Sequence, residues 1–308
     1  MKEFTEKLVK EIENRIGDKY CVRVHKIVKI NDVMLNSLNV FEKNRSISPN
    51  IYIEKLYEKY EEGYSINEIA DYVATIVRKQ FNAIRNKEEV MQQMYDYKNI
   101  NENLVFRIVN KEMNQKYLKG KVYCQVMDFA QVFYILVDQT EDGMLYIPLS
   151  EEIFKEWKMS IDELKKQAMK NMNKKLPVEI KTLNSIIFDM LKEVEIDVKE
   201  EEKEKFLETD NVFVMTNKLK MYGATTIFYK DVLKKFALQQ NVEELIIVPS
   251  SVHEVLLICK DDNEWINEER FQEMLLEVNE AEVETTDLLS NSIYVYKLES
   301  EEIIKWKE

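Results

Sequence analysis

An α+β fold, with helices packed on mostly antiparallel sheets, is predicted by three features of the sequence. Several segments carry apolar residues at steps of four, others are rich in Val, Ile, Phe and Tyr between turn residues, and the C-terminal part reads β-α-β-β-α-β, the ferredoxin-like order of strands and helices. Phe4, Leu8, Ile12 and Ile16 form the first helical stripe, which ends near Gly17. From Tyr20 to Ile30 the apolar positions Val22, Val24, Val28 and Ile30 have the period of two of a strand; Asn31-Asp32 supplies a turn, and 33–41 returns as a hairpin partner. Ser48-Pro49 reads as an N-cap with proline at the first helical position, followed by Tyr52, Leu56 and Tyr60 and stopped at Gly63. Ser65-Ile66-Asn67-Glu68 fits a capping box that opens a second helix, with Ile69, Val73, Ile76 and Val77 on its buried stripe and helical composition to about Val90.

Strands are predicted at 104–109, 122–129, 132–137 and 144–147, with turn chemistry at Gly120 and Asp142-Gly143. Ser150 caps a helix carrying Ile153, Phe154 and Trp157, and Ser160-Ile161-Asp162-Glu163 is a second capping box leading into Leu164, Ala168 and Met172. Another helix is predicted over 178–195. Beyond residue 210 the pattern predicts strands at 212–216, 224–229, 244–248, 253–259 and 292–298, with helices near 232–236 and 271–278. The ferredoxin-like order begins at 224–229. At roughly 150 residues per domain, 308 residues predict about two domains. The charged, apolar-poor stretch after Glu195 is the expected break, giving an N-terminal α+β domain over 1–195 with a candidate sub-boundary near 95–103, a charged linker over 196–210 and a C-terminal α+β domain over 211–308.

Composition excludes several function classes. The 5 Gly and 4 Pro leave no room for glycine-rich phosphate loops, collagen-like repeats or proline-rich linkers. Only 2 His and 3 Cys argue against a zinc site built on those residues, and no cofactor is expected. A net charge of −13 argues against direct nucleic-acid binding, which is driven by Lys and Arg displacing counterions from phosphates. Cys21, Cys124 and Cys259 are dispersed through apolar segments, the pattern of buried free thiols in a reducing compartment. Charged residues interrupt the N-terminal segment, and no later stretch has the apolar length of a membrane span, so the expected location is the cytoplasm.

The most site-like segment is Pro249-Ser250-Ser251-Val252-His253-Glu254, between two apolar strands. Ser250, Ser251, His253 and Glu254 place hydroxyls, an imidazole and a carboxylate within a few residues, the ingredients of a nucleophile and its base. No G-x-S-x-G elbow or oxyanion-hole glycines accompany them, and side chains this close in a turn commonly bond to turn backbone. His25, with Arg23 and Lys29, reads as the polar face of a strand. Asp138, Glu141 and Asp142, and Asp261, Asp262 and Glu264, are acidic loop clusters without calcium-loop spacing, so no metal site is assigned. Tyr57, Tyr60 and Tyr64 succeed one another at helical spacing and offer apolar bodies with polar tips, suited to a core stripe or to an interface.

Several stretches together resemble an uncharacterised bacterial family, a domain of unknown function found in anaerobic Gram-positive gut bacteria. They are Ser48-Pro49-Asn50-Ile51-Tyr52 with Tyr57 and Tyr60-Glu61-Glu62-Gly63; Tyr222-Gly223-Ala224; the run from Ile247 through Pro249-Ser250-Ser251-Val252-His253-Glu254 to Leu256; and Val278-Asn279 with Leu288-Leu289-Ser290 before Tyr294. The resemblance implies one complete unit over the 308 residues and brings no activity, cofactor or catalytic residue with it. The leading expectation is a soluble, non-catalytic module that binds an unidentified protein or small ligand, with Tyr57, Tyr60, Tyr64, Ser251 and His253 as its contact residues. Two alternatives stand beside it: a hydrolase-like enzyme centred on the Pro249–Glu254 segment, and an acidic inhibitor mimicking nucleic acid. Oligomeric state is not legible.

Overall fold

The computed structural model describes residues 1–42, 50–84, 95–140, 143–193, 211–259 and 268–306, and it is an α+β protein with antiparallel sheets. It divides into two compact units, Met1–Asn99 and Ile100–Glu308.

In the first unit the helix Lys2–Ile16 buries Phe4, Leu8 and Ile12, the stripe that steps of four produce. Strand β1 (Tyr20–Val28) pairs antiparallel with β2 (Met34–Glu42), with Val22 opposite Val40 and Val24 opposite Leu38. Asn31 and Asp32 make the turn at φ 60° and 55°, conformations that Asn and Asp tolerate better than other side chains. A short β3 (Ile51–Tyr52) completes the sheet and leads directly into the helix Ile53–Glu61. The expected Ser48-Pro49 cap lies outside the described residues. The Ser65 capping box is present: Ser65 N–H donates to Glu68 Oε2 at 2.9 Å, and Glu68 N–H donates to Ser65 Oγ at 3.3 Å. It opens the helix Ile66–Ile84, whose Ile69, Val73 and Val77 close the core against Leu8, Ile12, Leu38 and Leu56.

The second unit holds two sheets. Strands β4 (Leu104–Asn110), β5 (Tyr123–Val126), β6 (Phe129–Thr140) and β7 (Gly143–Pro148) form the first, with β6 paired to the other three. The helix Ile161–Lys175, opened by the Ser160 capping box, packs on β4. Its buried Asn171 tethers the two, donating to Asn101 O at 2.6 Å and to Leu104 O at 2.9 Å. The second sheet runs β13-β12-β10-β11-β9-β8, all antiparallel, from β8 (Val178–Thr182), β9 (Val212–Asn217), β10 (Glu244–Val248), β11 (Val255–Cys259), β12 (Tyr294–Lys297) and β13 (Glu302–Lys305).

Two segments differ from expectation. Residues 178–182 are strand, and the helix begins only at Leu183; Val178, Ile180 and Thr182 are β-branched at alternate positions, and the segment pairs with β9. Residues Gly223–Phe228 are a 3-10 helix instead of a strand, because Thr225 Oγ1 donates to Tyr222 O at 3.0 Å and Thr226 Oγ1 to Gly223 O at 2.7 Å, local bonds that curl the backbone. The strand–helix–strand–strand–helix–strand order therefore starts at β9. The expected linker 196–210 lies outside the described residues, and β8 pairs with β9, so segments on either side of it share one sheet. Replacement of Asn171 by alanine removes a donor from the buried Leu104 carbonyl and leaves the Asn101 carbonyl to Gln167 alone. Urea denaturation is expected to show a loss of about 1–3 kcal/mol.

Candidate functional site

The C-terminal stretches singled out in the sequence converge in the second unit. Gly223 N–H donates to His253 O at 2.8 Å and Ala224 N–H to Val252 O at 3.3 Å. On the other side of the same loop, Val252 N–H donates to Asp287 O at 2.8 Å, Leu289 N–H donates to Ser250 O at 2.8 Å, and Ser251 forms a bridge with Leu288. Asn279 Nδ2 reaches Ser290 O at 3.1 Å, so four separate segments are tied into one hydrogen-bonded assembly. Gly223 is required by proximity: a Cβ there would lie 2.1 Å from Thr216 Oγ1 and 2.6 Å from both Asn217 N and His253 O.

This assembly fixes the His253 ring. Nδ1 accepts from the Tyr222 N–H at 3.3 Å, which leaves the proton of the neutral ring on Nε2, 3.5 Å from Asp287 Oδ1. The Tyr222 ring lies beside the imidazole, centroids 5.2 Å apart and tilted by 33°. Ser251 is buried and its Oγ accepts from the His253 backbone N–H at 3.0 Å. Among the described residues no hydrogen bond joins the imidazole to Ser250, Ser251 or Glu254.

On its other contacts the Tyr222 ring meets a residue that the sequence reading did not single out. Arg107 lies on β4 opposite Val132, and alternation along β4 and β6 puts it on the same sheet face as Tyr134; the pairing of Leu136 with Tyr146 brings Tyr146 to that face as well. The guanidinium carbon is 3.5 Å from the Tyr222 ring centroid, 3.6 Å from that of Tyr146 and 4.9 Å from that of Tyr134. The Tyr146 and Tyr222 planes stand at 89°, so the rings form a corner and not a sandwich. Arg107 is 9% exposed, its Nε is buried with no hydrogen-bond partner, and it makes no ion pair with a carboxylate among the described residues. Tyr146, Tyr222 and His253 are half-buried, so the cage reaches the surface through them. The signal that could have found this residue is the strand itself: Arg107 is the one charge in Leu104–Val109, all of which is buried.

The other candidate residues lie elsewhere. Tyr57 and Tyr60 pack on Phe4 at 5.2 and 5.0 Å in the first unit, while Tyr64 is 50% exposed beside Lys59, whose ammonium is also 5.6 Å from the Tyr72 ring. His25 is exposed on β1. Glu141, Asp142, Asp261, Asp262 and Glu264, and the Asp138 side chain, lie outside the described residues. Two cavities of the second unit lie elsewhere, of about 640 Å³ along Phe228, Lys234 and Tyr296 and about 500 Å³ along Asn110, Asp128 and Asn291; Lys234 pairs with Glu301 in the first and Lys305 with Asp128 in the second.

Burial pushes the Tyr146 hydroxyl up to about 12, against the pull of the neighbouring Arg107 charge, and moves Tyr134, Tyr229 and Tyr294 upward as well. Below the ordinary tyrosine value of 10.0 both folded and unfolded chains keep the Tyr146 proton. Between 10.0 and about 12 only the unfolded chain releases it, so stability falls as pH rises through that window. Urea denaturation at stepped pH is expected to show this decline, and to show less of it in Tyr146→Phe. Gly223→Ala is expected to lower stability by about 1–3 kcal/mol in the same assay at neutral pH, through forced displacement of Thr216 and the His253 loop.

No curated protein and no solved structure matches the chain. A family model does match, over residues 1–298, which covers the first compact unit, most of the second and every converging segment described above. The chain belongs to DUF5688, a family of unknown function.

Proposed function

We propose that this protein is a non-catalytic binding module that holds a small anionic ligand against Arg107. The observation that carries the reading is a buried guanidinium with no carboxylate partner among the described residues. A buried charge left unpaired costs several kcal/mol in effect, and the ring contacts offset roughly 0.5–2 kcal/mol each. An anion hydrogen-bonded to Nε relieves the remainder, so the site suits a partner of negative charge.

The hydrolase reading has less support. A serine nucleophile needs an imidazole nitrogen within hydrogen-bond reach, whereas the two nitrogens of His253 face the Tyr222 amide and Asp287, and the Ser251 hydroxyl accepts from a backbone amide. The free thiols of Cys21, Cys124 and Cys259 suit a reducing compartment, and the cytoplasm is the location assigned within this proposal.

Thermal unfolding in the presence of a panel of small anions tests the reading. A true ligand at about 100 times its Kd stabilises the fold by about 2.7 kcal/mol, a rise of several degrees in Tm. Wild type is expected to show that rise for at least one anion, Arg107→Gln is expected to lose it, and the ligand is expected to be recovered chemically unchanged. A panel without effect, an equal response in Arg107→Gln, or a converted ligand overturns the proposal.

A further inference from the structure

We infer, resting on the binding reading above, that the anion is the carboxylate of a small molecule, held by the Nε edge of Arg107 and the Tyr222 hydroxyl. Three observations point to this class. The first is the charge balance of the cage. Arg107 brings one positive charge, Tyr134, Tyr146 and Tyr222 bring none, and Asp287 stands 3.5 Å from His253 Nε2 on the outer side of the Tyr222 stack. A carboxylate carries one negative charge and neutralises the guanidinium. A phosphate monoester, at about −1.5 to −2, leaves surplus negative charge in a poorly hydrated corner that already has an aspartate nearby.

The second observation is the free edge. Nε of Arg107 is buried and has no hydrogen-bond partner, and with the Nη–H on the same edge it has the planar two-donor shape that matches the two oxygens of a carboxylate, while the Tyr146 hydroxyl lies against the same guanidinium. Buried atoms of this kind are rare in a folded protein; among the described residues Glu54 Oε2, Gln131 Nε2 and Asn279 Oδ1 share the condition, and Arg107 Nε is the one that belongs to a cation. The third is the third donor. The Tyr134 hydroxyl is bonded to the Tyr117 hydroxyl and the Tyr146 hydroxyl donates to Met144 Sδ at 2.6 Å, while the Tyr222 hydroxyl has no protein partner among the described residues. Tyr222 thus meets the guanidinium with its ring and has a hydroxyl left to share the same anion.

The test uses the full-length protein and three probes of one shape: benzoate, benzamide and phenyl phosphate. The readouts are affinity by calorimetry and the ¹⁵N–¹H resonance of the Arg107 side-chain Nε, assigned by its loss in Arg107→Lys. Benzoate is expected to move that resonance and to bind on the order of tenfold or more tighter than benzamide, the ratio that a charge-assisted hydrogen bond supplies. Arg107→Lys keeps the charge but lacks the fork, and is expected to lose most of that preference. Tyr222→Phe is expected to weaken benzoate severalfold, with the near-ultraviolet circular dichroism of the folded state retained.

Benzamide binding as tightly as benzoate removes the role of charge and overturns the inference. Phenyl phosphate binding in preference to benzoate overturns the carboxylate assignment while leaving an Arg107 anion site standing. An Arg107 Nε resonance that none of the three probes moves overturns it too, and the broader anion panel then decides separately whether the binding reading survives.

Discussion

The close backbone approach at Gly223 is the contact on which the arrangement of loops in the second unit depends. A 2.8 Å amide bond to His253 O forces the Gly223 Cα into a space bounded by Thr216, Asn217 and His253 itself, with no room for a side chain. Because the chain comes that near, Tyr222 sits where its amide reaches one face of the site and its ring reaches another. Tyr222 accepts a left-handed backbone for this, φ 53° and ψ 31°, which costs a bulky residue roughly 1–2 kcal/mol. The threonine hydroxyls that follow it hold the strained turn in place from the other side.

Arg107 stands apart from the logic of its strand. Its neighbours are buried Leu, Val, Phe and Ile, and replacement of a buried charge by an apolar side chain of similar size is often neutral or stabilising. Packing alone therefore does not ask for arginine at this position. Three tyrosine faces make the charge tolerable without neutralising it, since a ring quadrupole attracts a cation but donates no counter-charge. Other polar residues of the core bond to backbone carbonyls: Asn171 donates to Asn101 O and Leu104 O, Thr216 to His253 O and Asn217 to Met221 O.

Local signals were the legible ones. The capping boxes at Ser65 and Ser160 and the stripe of Phe4, Leu8 and Ile12 depend on residues three or four apart, and each appears where its spacing puts it. The strand over 178–182 was not legible, because its partner β9 begins at Val212 and nothing local announces the pairing. At 224–229 β-branched composition suggested a strand, and two hydroxyl-to-carbonyl bonds outweighed it. The site divides in the same way. The His253 loop stood out in the sequence as a dense group of polar residues, whereas the cage around Arg107 arises from the register of β6 against β7 and from the Gly223 contact, both long-range.

The six-stranded sheet ends on β8 at one side and β13 at the other, strands of five and four residues. An open edge offers unpaired amides and carbonyls to any strand that drifts past, and edges that are long, flat and apolar invite other chains to join. Here both borders are short and charged: Glu179 and Lys181 interrupt β8, and Glu302 and Lys305 bracket β13. A strand added to either would bury those charges against its own side chains. Short, charged borders of this kind disfavour edge-to-edge pairing with another chain.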